Sequence, residues 1–241
     1  MKDIMVFSRD ISPLAGSFDV NDRLRPASVL DIFQDAAARH AELLGCGYLE
    51  MLKKNRLWVL LRNHYSVEKY PYYTQELKVS TWPKQGRLDF DRSYLLTDKN
   101  GEVLIKGISK WCVIDATARR LVKDSGVTYP GVGPEELACE PAKKIVLPEG
   151  EPCAVFTVGI SDLDHNGHMN NTRYADILQN RLEKDECINE LDFNYQHEVG
   201  LNDTVQIYQK REENRLYVWG VKDGAVAFSS CVSTEKAERL Y

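Results

Sequence analysis

An internal repeat constrains the fold of this chain more than any other feature of its sequence. Residues 31–35 (DIFQD) match residues 176–180 (DILQN), an offset of 145 (31 to 176). The same offset lays residues 19–23 (DVNDR) on residues 164–168 (DHNGH). In both halves the polar match precedes an apolar pattern with helical spacing. We therefore interpret the chain as two copies of one structural unit.

The matches continue through β-rich segments in the same order. Residues 76–79 (ELKV) lie on residues 204–207 (TVQI) at an offset of 128, so the first half carries about 17 extra residues, which we place at residues 45–56. In the first half we expect a helix that begins at Pro26 and ends at residues 45–47. The strands expected in the first half are residues 4–12, 58–61, 76–81, 89–97 and 102–115. A long helix and an antiparallel sheet, present twice, predict an α+β fold whose two sheets can join edge to edge.

A proline-rich segment separates the two copies. Residues 124–152 hold five of the nine prolines, which is typical of a linker. We expect a first domain at residues 1–123, a linker at residues 124–152 that lies against the surface, and a second domain at residues 153–241.

The strongest chemical signal is residues 161–171 (SDLDHNGHMNN), a polar segment that enters the second helical pattern. That pattern has four apolar residues on one face: Tyr174, Ile177, Leu178 and Leu182. The plainest interpretation of the segment is a turn followed by a helix cap. The cap candidates are Asn170, Asn171 and Thr172.

Two other interpretations assign chemistry to this segment. Free N–H groups at a helix start would suit a carbonyl that becomes an oxyanion, so the segment could be a catalytic loop. A metal could instead bind His165 and His168 with Asp162 and Asp164. The metal interpretation is weaker, because no HxxxH or CxxC cluster occurs elsewhere in the chain.

The composition argues against several classes of protein. The net charge of the 241 residues is −5, which disfavours a nucleic-acid partner. No apolar run reaches about 18 residues, so we expect no membrane span, and residues 1–12 lack the apolar core of a signal peptide. The six cysteines form no CxxC pair, which is typical of reduced, buried thiols in a cytoplasmic protein rather than of a disulfide framework or a zinc site.

Taken together, these residues resemble the acyl-ACP thioesterases, double hotdog-fold enzymes of plants and bacteria. Residues 161–174 (SDLDHNGHMNNTRY) fit the signature of that family closely, and residues 81–82 (TW) and 110–115 (KWCVID) are similar to its first-half strands. The resemblance covers about residues 4–235. It implies two tandem hotdog domains and the hydrolysis of fatty acyl-ACP to free fatty acid, with acyl carrier protein as partner and no cofactor. The oligomeric state stays open, with a homodimer as one option.

The resemblance also implies the site residues. The family's catalytic Asp, Asn and His correspond to Asp164, Asn166 and His168, and its later acidic residue corresponds to Glu198 in residues 194–199 (NYQHEV). Plant members often have Cys after that Glu, whereas this chain has Val199, so a Cys–His acyl-enzyme route is closed at that position.

Hydrolysis of a thioester then requires water activated by a carboxylate. Glu198 and Asp164 are both candidates for the base, and the sequence does not choose between them. His168 could orient the base or protonate the leaving thiolate, while Asn166 could hold the water or the oxyanion. Without the resemblance, Glu198 would be read as an exposed strand carboxylate, and His197 as its surface neighbour facing the opposite side.

The first half has Arg23 where the second has the histidine, and arginine cannot shuttle protons. We therefore expect one active site per chain and a first helix that lines an acyl-chain pocket between the repeats. The alternatives are a hotdog acyl-CoA thioesterase, a hydratase or dehydratase, and a non-catalytic module that binds acyl chains or acyl-ACP.

An acidic carrier protein would need a local basic patch on this acidic chain. The candidate patches are residues 53–56, Arg119 and Arg120 with Lys123, and residues 143–144. We favour the second, because it follows the last strand of the first half.

Overall fold

The computed structural model describes residues 4–131 and 133–236. The first half contains β1 (Phe7–Ile11), α1 (Pro26–Leu43), α2 (Tyr48–Lys53), β2 (Arg56–Val67), β3 (Leu77–Lys84), β4 (Asp89–Asp98) and β5 (Val103–Asp115). The second half contains β6 (Glu151–Thr157), α3 (Tyr174–Gln179), β7 (Glu186–Tyr195), β8 (Thr204–Glu212), β9 (Arg215–Lys222) and β10 (Ala225–Lys236). No helix in this part of the chain is long and apolar enough to cross a membrane.

All ten strands form one antiparallel sheet in the order β1-β3-β4-β5-β2-β7-β10-β9-β8-β6. The first five positions belong to the first half and the last five to the second, so the sheets of the two halves meet where β2 pairs with β7. This confirms the expected α+β fold with sheets joined edge to edge. The joint leaves neither half with an open strand at the centre of the molecule.

Local structure repeats with the offset found in the sequence. A short 3-10 helix at Ala15–Ser17 recurs at Ile160–Asp162, and the isolated bridge between Phe18 and Leu24 recurs between Leu163 and Met169. The helix and both bridge residues of the second half each lie 145 residues after their counterparts in the first half. The repeat is therefore structural as well as sequential.

The expectation of a long helix in each half is wrong for the second half. α3 has six residues, against 18 in α1, and Leu182 lies beyond its end. After α3 only residues 180–185 lead to β7, so the chain has to leave the helix to reach the sheet. The extra residues of the first half are also more widely placed than residues 45–56, since they include the last turns of α1 as well as α2.

α1 is held against the concave face of its sheet by aromatic packing. The ring of Phe33 stacks on Tyr94 of β4 at 4.5 Å between centroids, and burying a side chain of this size contributes about 1.5–3 kcal/mol. Gly107 of β5 makes this approach feasible, because a Cβ there would lie 2.3 Å from the Phe33 ring.

The linker lies against the sheet, as expected. Asn194 of β7 accepts a hydrogen bond from the Ile145 N–H at 2.9 Å and donates to the Lys143 carbonyl at 3.0 Å. The Trp82 indole donates to the Glu136 carbonyl at 3.2 Å. These bonds tie an irregular segment to both halves.

All six cysteines are free. Three of them, Cys46, Cys112 and Cys187, are buried, but Cys153 is exposed. The expectation of uniformly buried thiols is therefore wrong for Cys153, because alternate residues of the edge strand β6 face away from the core.

His40 lies fully buried on α1. Its Nε2 donates to the Ile4 carbonyl at 2.7 Å, and its Nδ1 accepts from Arg92 Nη1 at 3.0 Å. Burial lowers its pKa to about 4, and the Arg92 charge acts in the same direction, while the bond to Ile4 opposes the shift. The native protein therefore holds His40 as neutral imidazole.

This burial predicts a pH-dependent stability. Folding depresses the pKa of His40 below its ordinary value of 6.5, so between about pH 6.5 and about pH 4 the unfolded chain binds more protons at this residue. The stabilising contribution of neutral His40 is present above about pH 6.5 and is lost as the pH falls toward about 4. We expect wild type to lose up to about 3 kcal/mol more unfolding free energy than His40→Gln across this range. Denaturant titrations would measure it, and equal pH slopes for the two proteins would contradict it.

Candidate active site

A cavity of about 580 Å³ lies between the two halves. Its first-half wall comes from α1, α2, β2 and β4, with Trp111 of β5 and Arg119 and Tyr129 beyond it. Its second-half wall comes from the loop before α3, from the last residue of β7 and from residues 196–198 after it. The four predicted site residues all line it: Asp164, Asn166, His168 and Glu198. α1 also lines it, as the sequence predicted.

Asp164 shapes the loop that carries the other polar groups. Its Oδ1 accepts hydrogen bonds from the backbone N–H groups of Asn166 at 2.8 Å and His168 at 3.4 Å. Its Oδ2 accepts from the Asn166 side-chain amide at 3.1 Å. Gly167 supports the tight turn with a φ of 79°, a conformation that glycine adopts without strain. Asp164 therefore positions both Asn166 and His168.

Glu198 faces His168 across the cavity mouth. The distance from His168 Nε2 to Glu198 Oε2 is 3.5 Å, and the two side chains are 38% and 48% exposed. The other oxygen of Glu198 forms an ion pair with Arg119. Glu198 thus lies between a neutralising guanidinium from the first half and an imidazole from the second.

Backbone contacts fix the distance between the loop that carries His168 and the loop that carries Glu198. The Met169 N–H donates to the Val199 carbonyl at 2.7 Å, and His168 forms a bridge with Gly200. Because these contacts flank His168 and Glu198 directly, the facing geometry is set by main chain rather than by flexible side chains alone.

Two local expectations were wrong. Glu198 does not lie on a strand, since β7 ends at Tyr195, and His197 therefore lines the same cavity instead of facing away. The residue at the N-cap of α3 is Arg173, and it makes no side-chain cap bond. Asn170 instead accepts from Thr172 within the preceding turn, so none of the three cap candidates caps the helix.

The metal interpretation finds no support in the geometry. In the described ranges, no group of three or more His, Cys, Asp or Glu side chains is arranged to hold a metal ion. The ring of His165 packs edge-on against Tyr48 of α2 at 4.5 Å between centroids. His165 therefore contacts the first half and does not join His168.

Sequence reasoning missed two cationic residues of the cavity. Arg119 was assigned to a docking patch, and Arg92 was not singled out, although both line the cavity. Each comes from the first half and is brought to the site by the fold alone. No local pattern around either arginine carried a usable signal.

The loop of the first half has the same two backbone hydrogen bonds to its aspartate as the loop of Asp164, but its fifth residue has different surroundings. Asp19 Oδ1 accepts from the N–H groups of Asn21 at 2.8 Å and Arg23 at 3.0 Å. Arg23 is only 2% exposed, and its guanidinium donates to the Glu186 carbonyl at 3.0 Å. The fifth loop residue therefore fills space between the halves here, whereas His168 faces a cavity.

Comparison with known proteins gives matches along most of the chain. A family model of the acyl-ACP thioesterase N-terminal domain matches residues 5–125, and one of the acyl-ACP thioesterase C-terminal domain matches residues 149–230. The chloroplastic palmitoyl-acyl carrier protein thioesterase of Arabidopsis thaliana is 29% identical over an alignment of 191 residues, and the match covers 72% of this chain and 46% of the relative. That of Gossypium hirsutum is 28% identical over an alignment of 228 residues, and the match covers 86% of this chain and 55% of the relative. The chain thus spans about half the length of the curated relatives it matches.

Solved structures match over nearly their full length. The acyl-ACP thioesterase from Bacteroides thetaiotaomicron has a TM-score of 0.88 at 25% identity and covers 96% of this chain and 98% of its own. The 12:0-ACP thioesterase from Umbellularia californica shares the fold, with a TM-score of 0.84 at 20% identity and coverages of 97% and 98%.

The two matched loops allow a controlled test of Asp164. We expect Asp164→Ala and Asp19→Ala each to lower the unfolding free energy by about 1–3 kcal/mol, because each removes backbone hydrogen bonds to a carboxylate. Only Asp164→Ala should lower the turnover of an acyl thioester, by about tenfold or more, since only that loop positions groups in the cavity. Chemical denaturation and a thiol-release assay measure the two effects. An equal loss of turnover in Asp19→Ala would contradict the assignment.

Proposed function

Because this chain belongs to the acyl-ACP thioesterase family, we propose that it hydrolyses fatty acyl-ACP to free fatty acid and holo-ACP by carboxylate-assisted attack of water. The observation that carries the proposal is Glu198 facing His168 at 3.5 Å in a cavity whose far wall is built from the other half. A thioester needs a positioned base and a polarised carbonyl more than it needs a nucleophilic side chain.

Glu198 is the base in this proposal, and Asp164 is a positioning residue. Both oxygens of Asp164 already accept hydrogen bonds from its own loop. The carboxylate therefore has little acceptor capacity left for a water molecule. Oε2 of Glu198 points toward His168 and accepts no closer hydrogen bond among the described residues. A water that hydrogen-bonds to Oε2 beside the His168 ring would lose its proton to Glu198.

The remaining steps use Asn166 and His168. Attack of the hydroxide on the thioester carbon gives a tetrahedral oxyanion, and the second amide hydrogen of Asn166 is free to bind it. The carbon–sulfur bond then breaks. The proton taken by Glu198 returns through His168 to the departing thiolate, which leaves the enzyme in its starting protonation state.

The acyl chain would lie along the first-half wall. Small residues of α1 (Ala37, Ala38 and Ala41) leave room there, and Trp58, Phe90 and Trp111 supply apolar surface. One chain supplies both walls of the cavity, so this site needs no second copy. A homodimer is therefore not part of the proposed mechanism.

We propose that the carrier protein docks at Arg120 and Lys123. Both are exposed and closely follow Arg119 in the chain, and Arg119 lines the cavity. Among the other candidates, Lys53 pairs with Glu50 and Arg56 with Asp115. Lys143 and Lys144 are exposed on the linker.

The net charge of −5 supports a protein partner rather than a nucleic acid, and six free thiols support a cytoplasmic location.

For the domain division we propose residues 1–123 and 153–241 as the two hotdog domains, joined by residues 124–152. The strand set of each half supports it, although β6 begins at Glu151. Residues 1–3, 132 and 237–241 lie outside the described residues.

Removing the base should abolish turnover without unfolding the protein. We expect Glu198→Gln to lower kcat for acyl-ACP by about a hundredfold or more, because glutamine cannot accept the proton. His168→Ala should have a similar effect. Glu190→Gln is the matched control, since Glu190 is an exposed carboxylate on β7 outside the cavity. Release of free thiol is the readout, and near-normal kcat in Glu198→Gln would remove it from the mechanism.

Docking by charge should make the reaction sensitive to salt. We expect kcat/KM for acyl-ACP to fall as ionic strength rises, while a short acyl-pantetheine should be nearly indifferent. Arg120→Glu with Lys123→Glu should reproduce the loss for acyl-ACP alone, and Lys143→Glu with Lys144→Glu is the matched control. Equal salt sensitivity of both substrates would favour an acyl-CoA thioesterase instead.

A further inference from the structure

Arg92 places a buried cation in the wall of the cavity. Its side chain is 7% exposed, and it lies on β4 between Phe90 and Tyr94. These alternate residues share one face of the strand, which is the face that packs against α1 through Tyr94 and Phe33. Arg92 and the proposed catalytic residues line the same cavity, so a single bound chain can contact both.

The protein satisfies only one nitrogen of this guanidinium. Nη1 donates to His40 Nδ1 at 3.0 Å and to Thr81 Oγ1 at 3.4 Å. His40 donates its Nε2 proton to Ile4, so both acceptors of Arg92 are neutral. In the described part of the chain, Nε and Nη2 of Arg92 make no hydrogen bond, and no carboxylate lies within ion-pair distance of the guanidinium.

Neighbouring acidic groups do not supply the missing partner. Asp91 belongs to the same strand but forms an ion pair with Lys110 at 2.9 Å. Glu42 is exposed at the rim, where it accepts a hydrogen bond from the Tyr48 N–H at 3.1 Å. The charge of Arg92 therefore has no counter-charge in its own surroundings.

A buried cation without a counter-charge and with unbonded N–H groups favours a ligand that supplies an acceptor oxygen. Buried charges are normally paired, because a desolvated donor without an acceptor lowers stability and affinity. A plain hydrocarbon chain against Arg92 would displace water and leave its N–H groups unbonded. Sites built to hydrogen-bond a substrate group discriminate strongly against an analogue that lacks it.

We infer that Arg92 binds an acceptor oxygen, a hydroxyl or a carboxylate, on the part of the acyl chain remote from the thioester. The preferred substrates are then oxygenated acyl chains rather than unsubstituted ones. This inference rests on the proposed thioesterase function, because the chain has to enter from the site at Glu198. Two aromatic residues of the cavity, Phe90 and Trp58, would pack on the methylene groups between the thioester and that oxygen.

The test compares matched substrates on the intact enzyme. Unsubstituted, ω-hydroxy and ω-carboxy acyl-ACPs of equal length are assayed across a series of chain lengths. We expect kcat/KM to favour an oxygenated chain by at least about tenfold at the length that reaches Arg92. The hydroxy and carboxy arms show which oxygen is recognised.

Variants assign the preference to Arg92. Arg92→Met should bring the ratio of kcat/KM between oxygenated and unsubstituted chains close to one, and Arg92→Lys should retain part of the preference. Arg87→Met is the matched control, since Arg87 is exposed and outside the cavity, and it should leave the preference unchanged. If Arg92→Met fails to fold, the wild-type series decides alone.

The outcomes separate this inference from the function on which it rests. Hydrolysis of unsubstituted chains with no preference for oxygenated ones at any length would overturn the role of Arg92 and leave the thioesterase proposal intact. A preference that persists in Arg92→Met would also overturn it. Failure to hydrolyse any acyl-ACP would overturn the function itself.

Discussion

Antiparallel pairing of β2 with β7, from Arg62 opposite Asn194 to Ser66 opposite Glu190, joins two five-stranded sheets into one. Each half alone would expose a strand edge there, with unpaired backbone groups that favour association. The joint also sets the positions of the two concave faces relative to each other. The polar loop of the second half consequently lies at the helices of the first, where the cavity forms.

The two halves carry the same loop, yet they differ in what faces it. Beyond α3 the connection to β7 is short, so the loop of the first half packs directly on residues 184–186, where Asn21 donates to the Lys184 carbonyl and Arg23 to the Glu186 carbonyl. On the other side, α2 and the last turns of α1 form a cavity wall that faces the second-half loop, and Tyr48 of α2 contacts His165 of that loop. The result is a cavity at His168 and a filled interface at Arg23. A difference in connection length, more than the change from His to Arg, therefore makes the molecule asymmetric.

Charge in the cavity is arranged in two places with different partners. At the mouth, the carboxylate of Glu198 lies between Arg119 and His168, where it is half exposed and neutralised. Deeper in the wall, Arg92 has only the neutral acceptors His40 and Thr81. The mouth is therefore suited to a reaction that moves a proton, and the wall to the recognition of a substrate oxygen.

The sequence by itself determined what depends on nearby residues: the repeat, the strands of the first half, the first helix and the loop of Asp164, Asn166 and His168. Hydrogen bonds within five residues build that loop, so its spacing is visible without the fold. Glu198 was found only through a family resemblance, and the expectation that it lies on a strand was wrong, because β7 ends at Tyr195 and Glu198 is on the loop that follows. Only the tertiary structure decided the short α3 and the arrival of Arg119 and Arg92 at the site. Both arginines come from strands or turns far away in the chain, and their positions follow from how the sheets join and how much space the connections leave, which no local pattern records.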